Sequence, residues 1–276
     1  MGLLFGAITA LCLGTSDFFA ARAGRSVPAF TVTRTAVLTA GVVSPVLLLI
    51  TASHFGPRDS LIAALSGVVM GSGLTMLYEG YRSSRIGIVG PTSSVLVALV
   101  PVLYDLSRHI HLRATQTVGM AIGIVALGLT SYAPGGTGRA LRGFVLGSAS
   151  GICFGVAFTL MSRTSKASGL STVVVQRWAA FAFLSLLLPM SGGPLVAKTA
   201  PARPYAMAAG LFAAAGLGAL QLGFRHGAAG PVSVAASQFA TVAVLLAVAF
   251  NGEKLRAWQI AGVGSIAVAV ALMALG

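Results

Sequence analysis

The chain has 276 residues, of which 56% are hydrophobic and only 8% are charged. Soluble domains are roughly 45–50% apolar and about 25% charged, so this composition excludes an ordinary water-soluble surface. Lys and Arg number 18 against 5 Asp and Glu, and the mean hydropathy is +0.92. We therefore expect an all-α polytopic membrane protein that sits in a lipid bilayer.

The basic residues are spread along the chain in ones and twos between apolar runs, as in Arg22 with Arg25 and Arg139 with Arg142. Nucleic-acid binding needs basic side chains gathered on one face, so we expect no nucleic-acid partner. The spacing instead predicts short loops between membrane spans. The sequence shows no carboxylate pair, zinc-ligand spacing or phosphate-binding loop, and it predicts no catalytic residue, no metal and no cofactor.

Ten apolar runs are each about long enough to cross roughly 30 Å of hydrocarbon as a helix. In chain order they cover residues 2–21, 28–50, 60–80, 86–106 and 115–133, and then residues 142–162, 171–191, 204–224, 229–250 and 257–275. A stretch rich in Gly and Pro separates the two sets of five. The sequence thus predicts two domains, residues 1–133 and 141–276, joined by a linker over residues 134–140.

The two halves resemble one another at a nearly constant offset. Matches at an offset of 141 pair five residues in and directly after the first run with five in and directly after the sixth: Gly2, Gly6, Cys12, Gly14 and Arg22 with Gly143, Gly147, Cys153, Gly155 and Arg163. Five spans per copy is an odd number, so the second copy must cross the membrane in the opposite direction. The sequence predicts ten transmembrane helices as two inverted five-helix repeats, which is an architecture of secondary transporters. We favour transport over a repeat that serves packing alone.

Several motifs resemble the EamA type of the drug/metabolite transporter superfamily through their order along the chain and through the recurrence of some of them in both halves. They are Gly14-Thr15-Ser16-Asp17-Phe18, an arginine early in the second span of each half, a Gly-Tyr/Phe-Arg end to the third span, Gly-Pro opening the fourth, and Gly252-Glu253-Lys254-Leu255. The first half departs from the pattern, because Ile110-His111 stands where the second half has Gly-Glu. The resemblance implies carrier-mediated movement of small metabolites or drugs, without naming the substrate. It also implies a cytoplasmic (inner) membrane location with both termini in the cytoplasm.

Ionisable residues inside the predicted spans are candidates for the solute site, because each costs about 2.5–3.5 kcal/mol or more at mid-bilayer. Asp17, Arg34 and Glu79 lie near span ends that share one side of the membrane. An Asp17–Arg34 or a Glu79–Arg34 ion pair is therefore expected to be geometrically possible. The alternatives are that Arg34 reaches the headgroups and that Glu79 is simply interfacial.

Arg177 is the repeat partner of Arg34, but the second half lacks the acids that accompany Arg34. The partners of Asp17 and Glu79 are Phe158 and Leu222. An unpaired arginine inside the membrane can hold a carboxylate or a phosphate, although contacts with headgroups and carbonyls are the alternative. We hypothesise a charge-asymmetric site, with a carboxylate gate on one side and a bare arginine on the other.

A further set of polar residues is expected to line the centre. By repeat symmetry we expect Tyr78, Glu79 and Tyr81 to face Gln221 and Phe224. Gln238 is a bulky amide deep in an Ala-rich span, and we predict that it contacts solute. Hydroxyl groups in the fourth and ninth spans more often bond carbonyls of their own helix.

Small residues recur every fourth position at the start of each half, as in Gly143, Gly147, Gly151 and Gly155. Such a glycine stripe lets helices approach closely, because lipid gives no hydrophobic drive for helix association. Packing alone explains the stripe, and sliding of helices during transport is the functional alternative.

These features predict a secondary carrier for a small metabolite, an amino-acid-like solute or a drug, with export as the leading expectation. Uptake or facilitated exchange is the alternative, and a non-transporting membrane partner protein is a third. Proton coupling through Asp17 or Glu79 is one option, and a monomer or homodimer is expected. The Lys and Arg outside the spans split ten to six in favour of an external N-terminus. That bias is weak, so we retain the cytoplasmic termini that the resemblance implies.

Overall fold

The structure, a computed structural model, describes residues 1–84, 86–109, 113–131, 138–191, 193–198, 200–251 and 257–274. Within these ranges every regular element is a helix, and no strand is present. The Gly252–Leu255 motif, His111 and residues 134–137 of the predicted linker lie outside the described residues.

The helices follow the predicted apolar runs in order. In the first half they are α1 (Gly2–Ala23), α2 (Ala29–Val43), α3 (Pro57–Ser83), α4 (Ile86–Ser107) and α5 (Ala114–Ser131). In the second half they are α6 (Gly138–Ser162), α7 (Ser171–Leu186), α8 (Leu188–Ser191), α9 (Ala202–His226), α10 (Ala229–Ala236), α11 (Phe239–Asn251) and α12 (Ala257–Ala274). Because α6 begins at Gly138, residues 138–140 of the predicted linker are helical.

Three predicted spans are not single α-helices. The first of these, α2, passes into a 3₁₀ turn over Ser44–Leu49, and the short α8 follows α7 after one residue. Pro45 and Pro189 stand at these two places, where proline removes a backbone donor and disfavours helix in the residue before it. The third break separates α10 from α11 at Ser237 and Gln238.

Six helical segments among the described residues are long and apolar enough to cross a membrane: Gly2–Ala23, Ala29–Leu49, Pro57–Ser83, Leu141–Ser162, Ala202–His226 and Ala229–Phe250. Shorter apolar helices cover Thr92–Ser107, Ala114–Ala126 and Ser171–Leu186. The chain is therefore a polytopic helical membrane protein. The predicted count of ten spanning helices is not confirmed, because the remaining segments fall short of the same length and composition within the described residues.

The two halves interleave rather than form separate bundles. The first helix, α1, packs against α9 of the other half. Ser16 near the end of α1 donates its hydroxyl to the Ala209 carbonyl near the start of α9, at 2.8 Å. Gly2 at the start of α1 approaches Gly227 just after α9 ends. The two helices therefore run antiparallel.

The counterpart of this contact joins α6 to α3. Ser66 Oγ donates to the Ala157 carbonyl at 3.0 Å, and the Ser165 amide donates to the Asp59 carboxylate at 3.0 Å. These contacts make α3 and α6 antiparallel as well. Because the ends of α1 and α3 lie together (see below), α1 and its repeat counterpart α6 run in opposite directions.

The glycine stripes lie at close helix contacts. In α6, a Cβ on Gly147 would lie 2.7 Å from the Val89 carbonyl oxygen of α4. In α1, a Cβ on Gly6 would lie 2.8 Å from the Ala235 methyl of α10. Real side chains do not tolerate such distances, so the predicted packing role of the stripes is confirmed.

Candidate functional site

A cavity with about 430 Å³ of empty space lies between the two halves. Its walls come from α1, α3, α6, α7, α9 and α11: Leu13, Ser16, Asp17, Met70, Leu74, Phe154, Phe158, Arg177, Ala213, Leu217 and Phe239. The wall is mostly apolar, with one carboxylate and one guanidinium among its side chains. Small-molecule sites have this character, namely an apolar enclosure with few polar groups.

Most of the lining side chains come in repeat-related pairs. The pairs are Leu13 with Phe154 and Asp17 with Phe158 at the offset of 141, and Met70 with Ala213 and Leu74 with Leu217 at the offset of 143. Equivalent positions of the two halves therefore face the same cavity.

Asp17 is buried in this wall, with 6% of its surface exposed. Its Oδ2 accepts a hydrogen bond from the Tyr81 hydroxyl of α3 at 3.0 Å. The Tyr81 ring stacks on Tyr78 at 6.3 Å between centroids, and Tyr78 lies within electrostatic range of both Asp17 and Arg177. The contact of Ser16 with α9 holds this part of α1 in place. The structure thus brings together four of the predicted site residues, namely Asp17, Tyr78, Tyr81 and Arg177.

Arg177 is 1% exposed, and its Nε and Nη2 have no hydrogen-bond partner. The neighbouring Gln176 fixes α7 against α3, because its Nε2 donates to Ser66 Oγ at 2.6 Å. A buried donor left without an acceptor costs about 1–3 kcal/mol, and more when it is charged. The groups that match a guanidinium best are carboxylates and phosphates, which accept two parallel hydrogen bonds from it.

Asp17 and Arg177 share the cavity but form no ion pair with each other. Within the described residues, the ion pairs are those of Glu79. The two side chains therefore line the same mostly apolar space without forming an ion pair. Among the described residues, no group of three or more His, Cys, Asp or Glu could hold a metal ion.

Arg34 does not take part in this cavity, and both predicted ion pairs of Arg34 are wrong. Its Nη2 donates to the Pro194 carbonyl at 2.9 Å, and its guanidinium lies 5.0 Å from the centroid of the Phe30 ring. The reason is the segment before α9, which folds over α2. The Ala197 amide donates to Thr35 Oγ1 at 2.8 Å and helps to hold that segment there.

Glu79 lies near the end of α3 and is not part of the cavity wall. It is 33% exposed and pairs with Arg142 at 3.1 Å and with Arg82 at 3.9 Å, and both arginines are more than half exposed. The interfacial alternative for Glu79 is therefore the one that the geometry supports. Exposed pairs of this kind contribute about 0–1 kcal/mol.

The expectation that Tyr78, Glu79 and Tyr81 face Gln221 and Phe224 is wrong. Gln221 Nε2 donates to Thr164 Oγ1 at 2.8 Å, and Phe224 packs against Phe158. The two sets end on opposite sides of the cavity because α3 and α9 belong to antiparallel copies. Repeat symmetry relates such residues without bringing them into contact.

Gln238 stands at the break between α10 and α11. Its Nε2 donates to the Val234 carbonyl at 3.3 Å, and its Oε1 is buried without a partner. The cavity wall contains its neighbour Phe239 but not Gln238. A solute contact of Gln238 therefore stays a prediction.

A second, smaller cavity with about 330 Å³ of empty space adjoins the first. We call it the vestibule; its lining residues are Asp17, Phe18, Ala21, Arg22, Arg25, Tyr81, Ala243 and Ala247. Asp17 lines both spaces, and Tyr81 stands beside it. Sequence reasoning missed the vestibule and the aromatic walls of the first cavity. The repeat offset already paired Phe158 with Asp17 and was the signal available for that wall.

These features define a polytopic helical membrane protein with a mostly apolar cavity between two halves. The chain belongs to the EamA-like transporter family, whose pattern matches residues 1–132 and, separately, residues 141–275. The resemblance noted from the sequence motifs is thus confirmed, and the protein is a membrane transporter of this family rather than a member of an enzyme family. No curated protein sequence matches the chain.

The fold is also similar to that of a solved crystal structure with 17% sequence identity and a TM-score of 0.77. The similarity covers 99% of this chain and 96% of that one. At this low identity the similarity supports the fold and carries no statement about substrate.

Proposed function

We propose that this transporter is a secondary carrier for a small zwitterionic, amino-acid-like solute with an apolar body. The observation that carries the proposal is that Asp17 and the unpartnered Arg177 face one cavity without pairing. Arg177 binds the solute carboxylate, and Asp17 binds its ammonium group.

The chemistry of the wall favours this class of solute. A guanidinium binds a carboxylate through two parallel N–H···O bonds, and such charge-assisted bonds are about twice as strong as neutral ones. The ammonium group is matched by the Asp17 carboxylate. The rest of the wall, including Leu74, Phe154 and Phe239, offers apolar contact to an aliphatic side chain. A purely apolar drug would leave both charged groups desolvated without a partner.

The proposed mechanism is alternating access by ten spans arranged as two inverted five-helix repeats. It is supported by the antiparallel course of α1 and α6 and by a cavity that repeat-related side chains of both halves line. Similar halves can rock about such a site and expose it to one side at a time. The break between α10 and α11 beside Phe239 is a feature that carriers of this kind use near their sites.

Direction and coupling extend the proposal. We propose export from the cytoplasm, in a monomer or homodimer of the cytoplasmic membrane with both termini inside; uptake or facilitated exchange is the alternative. Asp17 is the proposed coupling site if protons take part, because Glu79 is engaged in exposed ion pairs. The orientation of the chain in the membrane is measured by thiol labelling of Arg58→Cys and Arg203→Cys from outside intact cells. The proposal requires labelling of the Arg203→Cys chain alone.

Counterflow into liposomes tests the proposal directly. Purified protein in liposomes preloaded with leucine should accumulate labelled leucine, whereas empty liposomes should not. Isoamylamine lacks the carboxylate and 4-methylvalerate lacks the ammonium group, so each should compete at least about tenfold more weakly than leucine, given about 1.5–3 kcal/mol per charged hydrogen bond. Equal competition by all three would overturn the proposed zwitterionic solute, and no counterflow of any solute of this class would overturn the proposal as a whole.

A further inference from the structure

The two ends of the cavity carry repeat-related pairs of side chains with different chemistry. At one end Asp17 of α1 meets Tyr81 of α3, and at the other Phe158 of α6 meets Phe224 of α9. Phe158 is the partner of Asp17 at the offset of 141, and Phe224 is the partner of Tyr81 at 143. The equivalent contact is therefore a hydrogen bond in one copy and an apolar contact between two phenyl rings in the other.

These pairs lie on opposite sides of the membrane-spanning core. Asp17 follows Ser16, which contacts Ala209 near the start of α9. Phe158 follows Ala157, which contacts Ser66 in the first half of α3. Because α1 runs antiparallel to α9 and α6 runs antiparallel to α3, the two pairs mark opposite ends of the cavity.

The polar pair separates the cavity from the vestibule. Asp17 lines both spaces, and the Tyr81 hydroxyl closes on its Oδ2 at 3.0 Å. The stacking of Tyr81 on Tyr78 holds the ring in that position. A solute that passes between the two spaces must move past this hydrogen bond.

The aromatic pair has no equivalent bond. The rings of Phe158 and Phe224 meet edge to face, 6.3 Å apart at an interplanar angle of 70°. Such a contact is worth about 0.5–1.5 kcal/mol beyond burial and offers nothing that a charged group can replace. Its opening is governed by apolar packing alone.

We propose that the Tyr81 hydroxyl takes the solute's place at the Asp17 carboxylate when no solute is bound. The hydrogen bond between Tyr81 and Asp17, which we call the polar gate, then stays closed until a cationic group of the solute displaces Tyr81. This inference rests on the proposed function, because it assigns the ammonium group of the solute to Asp17. The Tyr81 hydroxyl and that ammonium group compete for one carboxylate oxygen. Binding of the solute therefore opens the gate on the Asp17 side, and the Phe158–Phe224 gate has no such dependence on solute charge.

The first test measures access to the cavity without any solute. Ala213 lines the cavity, and Ala213→Cys in a chain with Cys12→Ala and Cys153→Ala provides a single thiol there. We expect Tyr81→Phe to raise its modification by a membrane-impermeant maleimide about tenfold from the Asp17 side, as expected for loss of one charged hydrogen bond. Phe224→Tyr is the mirrored control and should leave that rate unchanged.

The second test measures binding with matched ligands. Tyr81→Phe should lower the dissociation constant of leucine several-fold and leave that of 4-methylvalerate, which has no ammonium group, unchanged. A purely structural role of Tyr81 would shift both ligands together.

The proposed gate is wrong if Tyr81→Phe leaves the solute-free rate of thiol modification unchanged. It is also wrong if Phe224→Tyr raises that rate as much as Tyr81→Phe does. If wild-type protein binds neither ligand but Tyr81→Phe still opens the Asp17 side, the gate stands and the proposed solute class fails.

Discussion

Arg34 and Arg177 occupy equivalent positions in the two repeats, yet only Arg177 faces the cavity. Two nitrogens of each guanidinium are buried without a hydrogen-bond partner, but Arg34 also donates its Nη2 to the Pro194 carbonyl, whereas Arg177 lines the cavity. Duplication supplied two identical side chains, and the segment before α9 gave one of them a structural role. The site is asymmetric for this reason, and the asymmetry yields separate predictions for residues that look alike in sequence.

Asp17 and Glu79 should respond differently to removal of their charge. Asp17→Asn is isosteric but leaves the ammonium group of the solute without its partner, so leucine counterflow should fall about tenfold or more. Glu79→Gln should stay close to wild type, because its ion pairs are exposed and contribute about 0–1 kcal/mol. Initial rates at equal amounts of reconstituted protein measure both variants. A larger loss in Glu79→Gln than in Asp17→Asn would contradict this assignment.

The glycine stripe of α6 should be sensitive to a single methyl group. A Cβ on Gly151 would overlap the Ser93 carbonyl oxygen and lie 2.8 Å from the Leu96 Cβ. We expect Gly151→Ala to cost about 1–3 kcal/mol through overpacking and to lower the thermal unfolding midpoint in detergent.

Gly264→Ala in α12 is the control for the stripe, because nothing lies within 4 Å of the added Cβ. There the better helix propensity of Ala, up to about 1 kcal/mol, should leave the midpoint unchanged or raised. Equal midpoints for Gly151→Ala and wild type would show that α4 and α6 are not in close contact.

Gln238 tests whether a buried amide that does not line the cavity takes part in transport. Its Oε1 is buried without a partner, and its Nε2 contacts only a carbonyl of the preceding turn. Gln238→Met removes an unsatisfied acceptor, so the unfolding midpoint should not fall and leucine counterflow should stay within about twofold of wild type. A folded variant that has lost transport would instead support the solute contact predicted from sequence.

The order of the helices and their duplication could be read from the sequence because they depend on local quantities. Apolar run length predicts helices, and the offset of Gly6 and Gly147 predicts that both belong to equivalent contacts. The prolines at positions 45 and 189 indicate the first two breaks in the sequence, because proline removes a backbone donor and disrupts the helical turn in which it stands. The break at Ser237 and Gln238 has no proline to mark it in the sequence.

The candidate site was harder to predict because it depends on which helices meet. Depth in the membrane suggested an Asp17–Arg34 pair, but depth does not say which faces of α1 and α2 point together. Tyr81 became the partner of Asp17, and Pro194 became the partner of Arg34. Both choices are set by contacts between segments far apart in sequence, which hydrophobic periodicity does not encode.

The central claim, that solute binds between Asp17 and Arg177, is tested most directly by equilibrium binding of labelled leucine to purified Arg177→Gln and Arg34→Gln. We expect Arg177→Gln to fold with a normal unfolding midpoint and to bind leucine at least about tenfold more weakly, since it loses a charged hydrogen bond to the carboxylate. Arg34→Gln should keep wild-type affinity and have a lower unfolding midpoint, because the Pro194 carbonyl loses the Arg34 donor and keeps only the Thr31 hydroxyl. Wild-type affinity in Arg177→Gln, or a loss of affinity confined to Arg34→Gln, would contradict the account.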